Sequence, residues 1–463
     1  MRHLQSYSTP EHFKFAGRQV LRLLLQFINK ILEHIYYLTS KQIKVGLATG
    51  IHKGKGKPLT HHKSFRRVTV VPHIGAIIDA YMSAPTESLF LPLQSYTQYG
   101  FTAGMSYLLG AILRNECEAW AIDTKSTLFQ VTCDGDSAFD VTDRTIMTRE
   151  LYENGEDGDM WRYSQALYQN TECAIKMNNK ISRTFREQLG SRQGHQKSAA
   201  HYKQYNNSIQ DNLNKTNLGF KIGPYHVSNV TVADDIIGLS GSPGDLQIIL
   251  NLISRYGNRY RISFSAGKMK ITIIGSKSDQ KYWKDTKPWA MDGDAIDNIK
   301  VIPVVDQNDH LGQIISGNDA VQLNIDANIS STRKCLFQLM GNPFAYNSGV
   351  NPTVQHGTWS TFVSPILRSG LSALVIQPTS TEMKSLIRIQ RKLLRAFLGL
   401  STRCPVPSIY HLLGELPIEG QIARDVFSLF WNVWSNRDTL VHKVVKYLLI
   451  HAKEDSRTWV VFL

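Results

Sequence analysis

The stretch VTVADDIIGLSG, Val230 to Gly241, constrains the fold more than any other part of the chain. Apolar and β-branched residues flank two adjacent carboxylates, Asp234 and Asp235. The pattern predicts a β-hairpin with both acids at its turn. Neighbouring like charges repel, and a partly buried pair is disfavoured unless a cation compensates it. A solvated turn would accommodate them. So would two divalent ions about 4 Å apart, the arrangement behind in-line phosphoryl transfer. Such a site draws carboxylates from different strands. Asp134, closing the apolar run STLFQVTCD, supplies the third.

The composition fits such chemistry. Lys and Arg number 52 against 38 Asp and Glu, a formal net charge of +14. That excess suits a polyanion, either nucleic acid or an anionic membrane surface. The five cysteines are scattered and never spaced CxxC, which argues against a disulfide framework or a zinc knuckle and for a reducing compartment. The apolar patch VLRLLLQFINKILEHIYYL is broken by Arg22, Gln26, Asn29, Lys30, Glu33 and His34. It reads as a packed helix within residues 11–39, carrying Val20, Leu24, Phe27, Ile28, Ile31, Leu32 and Ile35, and not as a membrane span. With no evident signal peptide, an intracellular, non-secreted protein is expected.

The Gly/Lys loop GIHKGKGKPLTHHKS is either solvated or a phosphate grip. A hairpin turning at Asn178-Asn179 is expected in AIKMNNKISRTF. Ser242 and Pro243 open a helix that Gly257 should end, and YRISF and KMKITIIG follow as strands. The order predicts an α+β sheet with helices on one face. From about residue 320 the chain reads as helical. Thr379 to Glu382 fits a capping box. Behind it, Met383, Leu386, Ile387, Leu393, Leu394 and Phe397 form one face, and Arg388, Arg391, Lys392 and Arg395 another.

Several segments, in order, resemble the reverse transcriptase of non-LTR (LINE-type, Jockey-like) retrotransposons. SFRRVTVVP is similar to the family's YRP fingers motif and QYGFTAGMS to its QxGFxxGxS segment. CDGDSAFDV resembles motif A, LGSRQGHQKS motif B, VADDIIGLS motif C, GKMKITIIGS motif D and NDHLGQIIS motif E. The segment from Ile387 to Asp425 resembles the thumb. The resemblance implies an α+β right-hand polymerase fold with a helical thumb. N-terminal helix and fingers would span 1–127, the palm 128–316 and the thumb with the C-terminal region 317–463, the reverse transcriptase domain covering about 45–316.

The implied activity is RNA-directed DNA polymerisation, with two Mg²⁺ (or Mn²⁺) ions, dNTPs, an RNA template and a DNA primer. Asp134, Asp234 and Asp235 would bind metal, and Lys268 would protonate or neutralise the leaving pyrophosphate. Lys270 is the neighbouring alternative. Arg66 would grip the triphosphate or else form a surface ion pair. Gln193 and Gly194 would lie against nucleotide and template. Phe139 is either a steric gate against a ribose 2′-hydroxyl or a core residue. The stripe Arg388, Arg391, Lys392 and Arg395 would track the duplex or be a solvated face. No membrane partner is implied, and the family is nuclear or cytoplasmic.

The chain departs from the family pattern. Val232 replaces the usual aromatic before ADD, Arg67 replaces a proline, and motif B reads HQKS where CPLS is common. There is no room for an upstream endonuclease, so a piece of a longer element protein is expected. The competing expectation is a catalytically inactive, nucleic-acid-binding relic of the fold.

Overall fold

A computed structural model describes residues 11, 14–34, 45–54, 56–135, 138–178, 180–192, 194–264, 267–286, 289–291, 300–317, 319–340 and 351–462. The strands used below are, in chain order, β1 (Gly46–His52), β2 (Phe65–Val70), β3 (Leu128–Asp134), β4 (Glu172–Met177), β5 (Lys180–Ile181), β6 (Phe185–Arg186), β7 (Phe220–Ile222), β8 (Tyr225–Val227), β9 (Asn229–Val232), β10 (Asp235–Ser240) and β11 (Lys270–Ile274). The chain forms two compact units interleaved in sequence.

The first unit comprises residues 1–95, 135–212 and 253–265. Its sheet runs β2-β1-β4-β5, with β6 also on β4. β1 pairs antiparallel with β2 and parallel with β4. β4 and β5 pair as the expected hairpin, Met177 opposite Lys180, and Asn178 takes φ +47°, which asparagine tolerates, while Asn179 lies outside the described residues. YRISF differs from expectation. Only Phe264 makes a bridge, to Gly135, and no strand forms. The preceding helix runs through Gly257 to Tyr260. Gly257 is a close-approach glycine, because a Cβ there would lie 2.6 Å from the Ile262 carbonyl oxygen. The N-terminal helix, Arg18–Glu33, buries Ile28 and Ile31 but exposes Val20 and Phe27. Ile35 lies outside the described residues.

The second unit comprises residues 96–134, 213–252 and 266–463. Its sheet runs β11-β3-β10-β9, every neighbour antiparallel. β3 is central and buried on both faces except at its last residue, Asp134. That explains its continuous apolar run. The helix Tyr107–Asp123 packs on this sheet closely enough that a Cβ on Gly110 would lie 2.8 Å from Val230 Cγ1. One core continues from Leu109, Leu128 and Ile237 into the C-terminal helices at Leu386, Leu394 and Val444. No described helix is long and apolar enough to cross a membrane.

The helix Thr381–Phe397 is capped by Ser380, whose hydroxyl accepts from Met383 N, and not by Thr379. Met383, Leu386, Leu393, Leu394 and Phe397 are buried as expected, and Ile387 is half-buried.

Candidate active site

The ADD hairpin is built as its sequence requires. β9 and β10 pair with Val232 opposite Asp235, leaving Ala233 and Asp234 as a two-residue turn. On the other side of β10, Asp235 stands opposite Asp134 at the end of β3. Directly opposed residues share a sheet face, so these two carboxylates face the same way. Asp234 sits beside them in the turn. Burial, then the charges of Asp234 and Asp134, push the Asp235 carboxyl up to about 7. Burial and the Asp134 charge also raise Asp234. Three acids thus crowd one end of the sheet at an electrostatic cost that a cation would relieve.

Lys268 lies in the turn before β11, its Nζ 3.6 Å from Asp134 Oδ2. Lys270, two residues on, begins the strand, opposite Thr132. Both lysines, Asp134, Asp235 and the segment Asn308–Leu311 line a cleft of about 220 Å³. The motif E segment is therefore part of this wall. Asn308, the first residue of the motif E segment and given no role of its own there, donates to Thr132 Oγ1 at 2.6 Å.

Among the described residues, no group of three or more His, Cys, Asp or Glu side chains is arranged to hold a metal ion. The donor set nonetheless fits magnesium. Mg²⁺ takes oxygen ligands and is usually held by one or two carboxylates with waters and substrate phosphates, not by an all-protein cage. Asp134 and Asp235 on one face offer two such carboxylates, with Asp234 adjacent.

Arg66, Phe139 and Gly194 fall in the first unit. Arg66 is exposed on β2. Arg67 is the anchored arginine, donating to Glu187 Oε1 at 2.7 Å and Asp140 Oδ1 at 3.2 Å. Phe139 is half-buried and stacks on the buried Tyr202, ring centroids 4.0 Å apart. Gly194 takes φ +102°, and a Cβ there would overlap the Thr69 carbonyl oxygen. This glycine is required by its own β-strand neighbour. Gln193 lies outside the described residues.

The HQKS departure has a physical account. Asp79 accepts from the backbone N–H groups of Gln196 and Lys197, the start of the helix Gln196–Lys215. A proline at 196 would lack the first of these donors. Lys197 is fully buried and donates to Glu156 Oε1 at 2.7 Å and Ser164 Oγ at 2.9 Å. Burial pushes the Glu156 carboxyl up, but His201 and Lys197 outweigh it and hold it at about 2.

In the C-terminal helices the basic stripe divides. Arg388 and Lys392 are exposed. Arg395 donates to the Cys404 carbonyl at 2.8 Å, and Arg391 is half-buried. The stripe thus does not present four equivalent cations to solvent.

The sequence pattern of the family described as "Reverse transcriptase (RNA-dependent DNA polymerase)" matches residues 51–314. No curated protein matches the chain. Among solved structures, apo telomerase from Candida tropicalis is 11% identical with a TM-score of 0.45, over 95% of this chain and 73% of that one. Telomerase from Candida albicans in complex with a TWJ fragment of telomeric RNA is 10% identical with a TM-score of 0.41, over 87% and 65%. Apo telomerase from Candida tropicalis truncated from its C-terminal domain is 10% identical with a TM-score of 0.40, over 61% and 55%. The chain thus spans less than two thirds of the length of the latter two. The family match takes in 264 of the 463 residues. The fold, with its mixed helices and sheets, is that of a reverse transcriptase, and the chain belongs to the reverse transcriptase (RNA-dependent DNA polymerase) family.

Proposed function

We propose that the chain extends a DNA primer on an RNA template from dNTPs, as the polymerase of a non-LTR, Jockey-like retrotransposon. The observation that carries this reading is the cross-strand pair Asp134–Asp235, with Asp234 in the adjoining turn and Lys268 at 3.6 Å. Two magnesium ions, when bound, would lower the cost of deprotonating the primer 3′-hydroxyl and of charge on the departing pyrophosphate. Asp134, Asp234 and Asp235 would hold them. Lys268 reaches Asp134 and would deliver a proton to the pyrophosphate oxygen as it leaves. Arg66, exposed on β2, suits a triphosphate. Phe139, stiffened by Tyr202, would exclude a 2′-hydroxyl. Arg388 and Lys392 would meet duplex phosphates. Fingers would occupy 1–127, palm 128–316 and thumb 317–463.

The test is primer extension on an RNA template with Mg²⁺, beside Asp234→Asn and Asp134→Asn. Removing a ligand should cut the rate by about a thousandfold, near 4 kcal/mol of transition-state stabilisation, while template–primer binding persists. Extension at the wild-type rate by Asp234→Asn would end the proposal. A non-catalytic nucleic-acid-binding module is the second reading. Val232, in place of an aromatic beside the turn, favours it. It expects binding without extension by the wild type.

A further inference from the structure

Ala233 takes φ +62°. In a two-residue hairpin loop a positive φ is the habit of glycine, asparagine or aspartate, and alanine meets its own Cβ there. Such a conformation persists only where the surroundings over-determine it. The ADD turn therefore needs an external hold.

That hold comes from QYGF, a segment that carried family resemblance but no assigned role. Residues 97–99 run beside β9, with a parallel bridge between Gln98 and Thr231. Tyr99 N donates to Thr231 O at 2.8 Å, and Thr231 N donates to Thr97 O at 2.9 Å. The Gln98 side chain is buried, and its Oε1 accepts from Ala233 N at 3.0 Å and from Gly100 N at 2.8 Å. Gly100 completes the cradle, since a Cβ there would lie 2.5 Å from Ala233 N.

We propose that Gln98 is the positioning residue of the ADD turn: its side-chain carbonyl pins the Ala233 amide and so fixes the left-handed backbone that orients Asp234 and Asp235 relative to Asp134. The proposal rests on the reading of those carboxylates as catalytic. The residue type suits the task. A carboxylate in its place would add a fourth negative charge beside three. Asparagine is one methylene shorter and would not span from the 97–99 segment to the turn.

The experiment uses the full chain with Gln98→Met, which keeps the bulk and loses the acceptor, and Gln98→Asn as a milder variant. Each is made alone and combined with Ala233→Gly. Thermal unfolding first identifies the variants that fold. Hydrogen exchange of the segment containing Ala233 and kcat for primer extension are then read, with the dNTP KM and template–primer Kd. A misplacement of about 1 Å costs roughly 100-fold in rate, so kcat should fall by about that factor with Kd unchanged. The Ala233 amide should exchange roughly tenfold faster. Ala233→Gly should recover most of kcat in either background, because glycine adopts the backbone unaided. A general packing defect would not be rescued by that change. Unchanged exchange at Ala233, or no recovery by Ala233→Gly, overturns the proposal. Should the wild type itself not extend primers, the catalytic reading fails, and the exchange comparison still decides whether Gln98 holds the turn.

Discussion

Lys268 and Asp134 form an ion pair across the candidate active site, Nζ to Oδ2 at 3.6 Å, each side chain half exposed. The lysine sits where a cation would otherwise approach the carboxylate. Replacing it with Gln should therefore have two opposed effects. The half-saturating Mg²⁺ concentration should fall, by at most about fivefold, because an exposed pair is worth no more than about 1 kcal/mol. Meanwhile kcat should fall by about 100-fold through loss of the proton donor. Magnesium titration of primer extension reads both. A changed kcat with an unmoved magnesium midpoint would mean that the lysine does not compete.

Sugar choice is the second prediction. Phe139→Val should raise ribonucleotide relative to deoxynucleotide incorporation if the ring is a gate. It should also cost about 1–3 kcal/mol, because the Tyr202 stack is lost. The ratio of incorporation efficiencies decides. A lowered melting temperature with an unchanged ratio assigns Phe139 to packing alone.

Gly194→Ala should destabilise the first unit whatever its catalytic effect. The φ of +102° costs a non-glycine residue about 1–3 kcal/mol, before the overlap with the Thr69 carbonyl is counted. Denaturant unfolding midpoints measure this. An unshifted midpoint would mean that the motif B turn relaxes freely.

The divided basic stripe gives the fourth prediction. Arg388→Gln with Lys392→Gln should flatten the salt dependence of template–primer binding by about one to two units of slope. Arg395→Gln should lower the melting temperature and leave the slope alone, because its guanidinium serves the Cys404 carbonyl. Equal slopes for wild type and the Arg388/Lys392 double variant would place the duplex elsewhere.

Glu116 sets a pH dependence. It is fully buried, and its Oε1 accepts from Trp459 N at 2.6 Å. Burial pushes its carboxyl up to about 8. Between the ordinary carboxylate range and that value, the folded protein keeps a proton that the unfolded chain releases. Stability from this group is therefore present at low pH and lost as pH rises toward 8. Glu116→Gln should remove that loss and raise the melting temperature at pH 9 by at least about 3 °C, with little change at pH 5. Parallel melting curves at the two pH values would refute it.

The ADD hairpin, the β4–β5 hairpin and β3 were legible because period, turn chemistry and apolar runs are local signals. The cap shifted from Thr379 to Ser380 because either hydroxyl can cap, and packing chooses between them. YRISF has strand composition, but only Phe264 finds a bridging partner. Gly257 looks like a helix stop in sequence, because its close approach to the Ile262 carbonyl is a tertiary fact. The capture of Arg395 by Cys404 and of Ala233 by Gln98 are tertiary too, the latter spanning 135 positions of sequence. Periodicity marks which face of a helix is polar. It does not say which polar groups already have partners.

The buried pair Lys197–Glu156 bears on how such a chain can change over generations. An ion pair with no solvent exposure on either side chain cannot be dismantled one residue at a time. Losing either partner strands a charge at a cost of about 3–5 kcal/mol, against a total stability of about 5–15 kcal/mol for a typical domain. Replacing Lys197 alone by an apolar residue would leave Glu156 to His201 and Ser164, and would consume much of that margin unless Glu156 changed with it. The two positions are thus coupled energetically, and the polar motif B resists being undone by a single substitution.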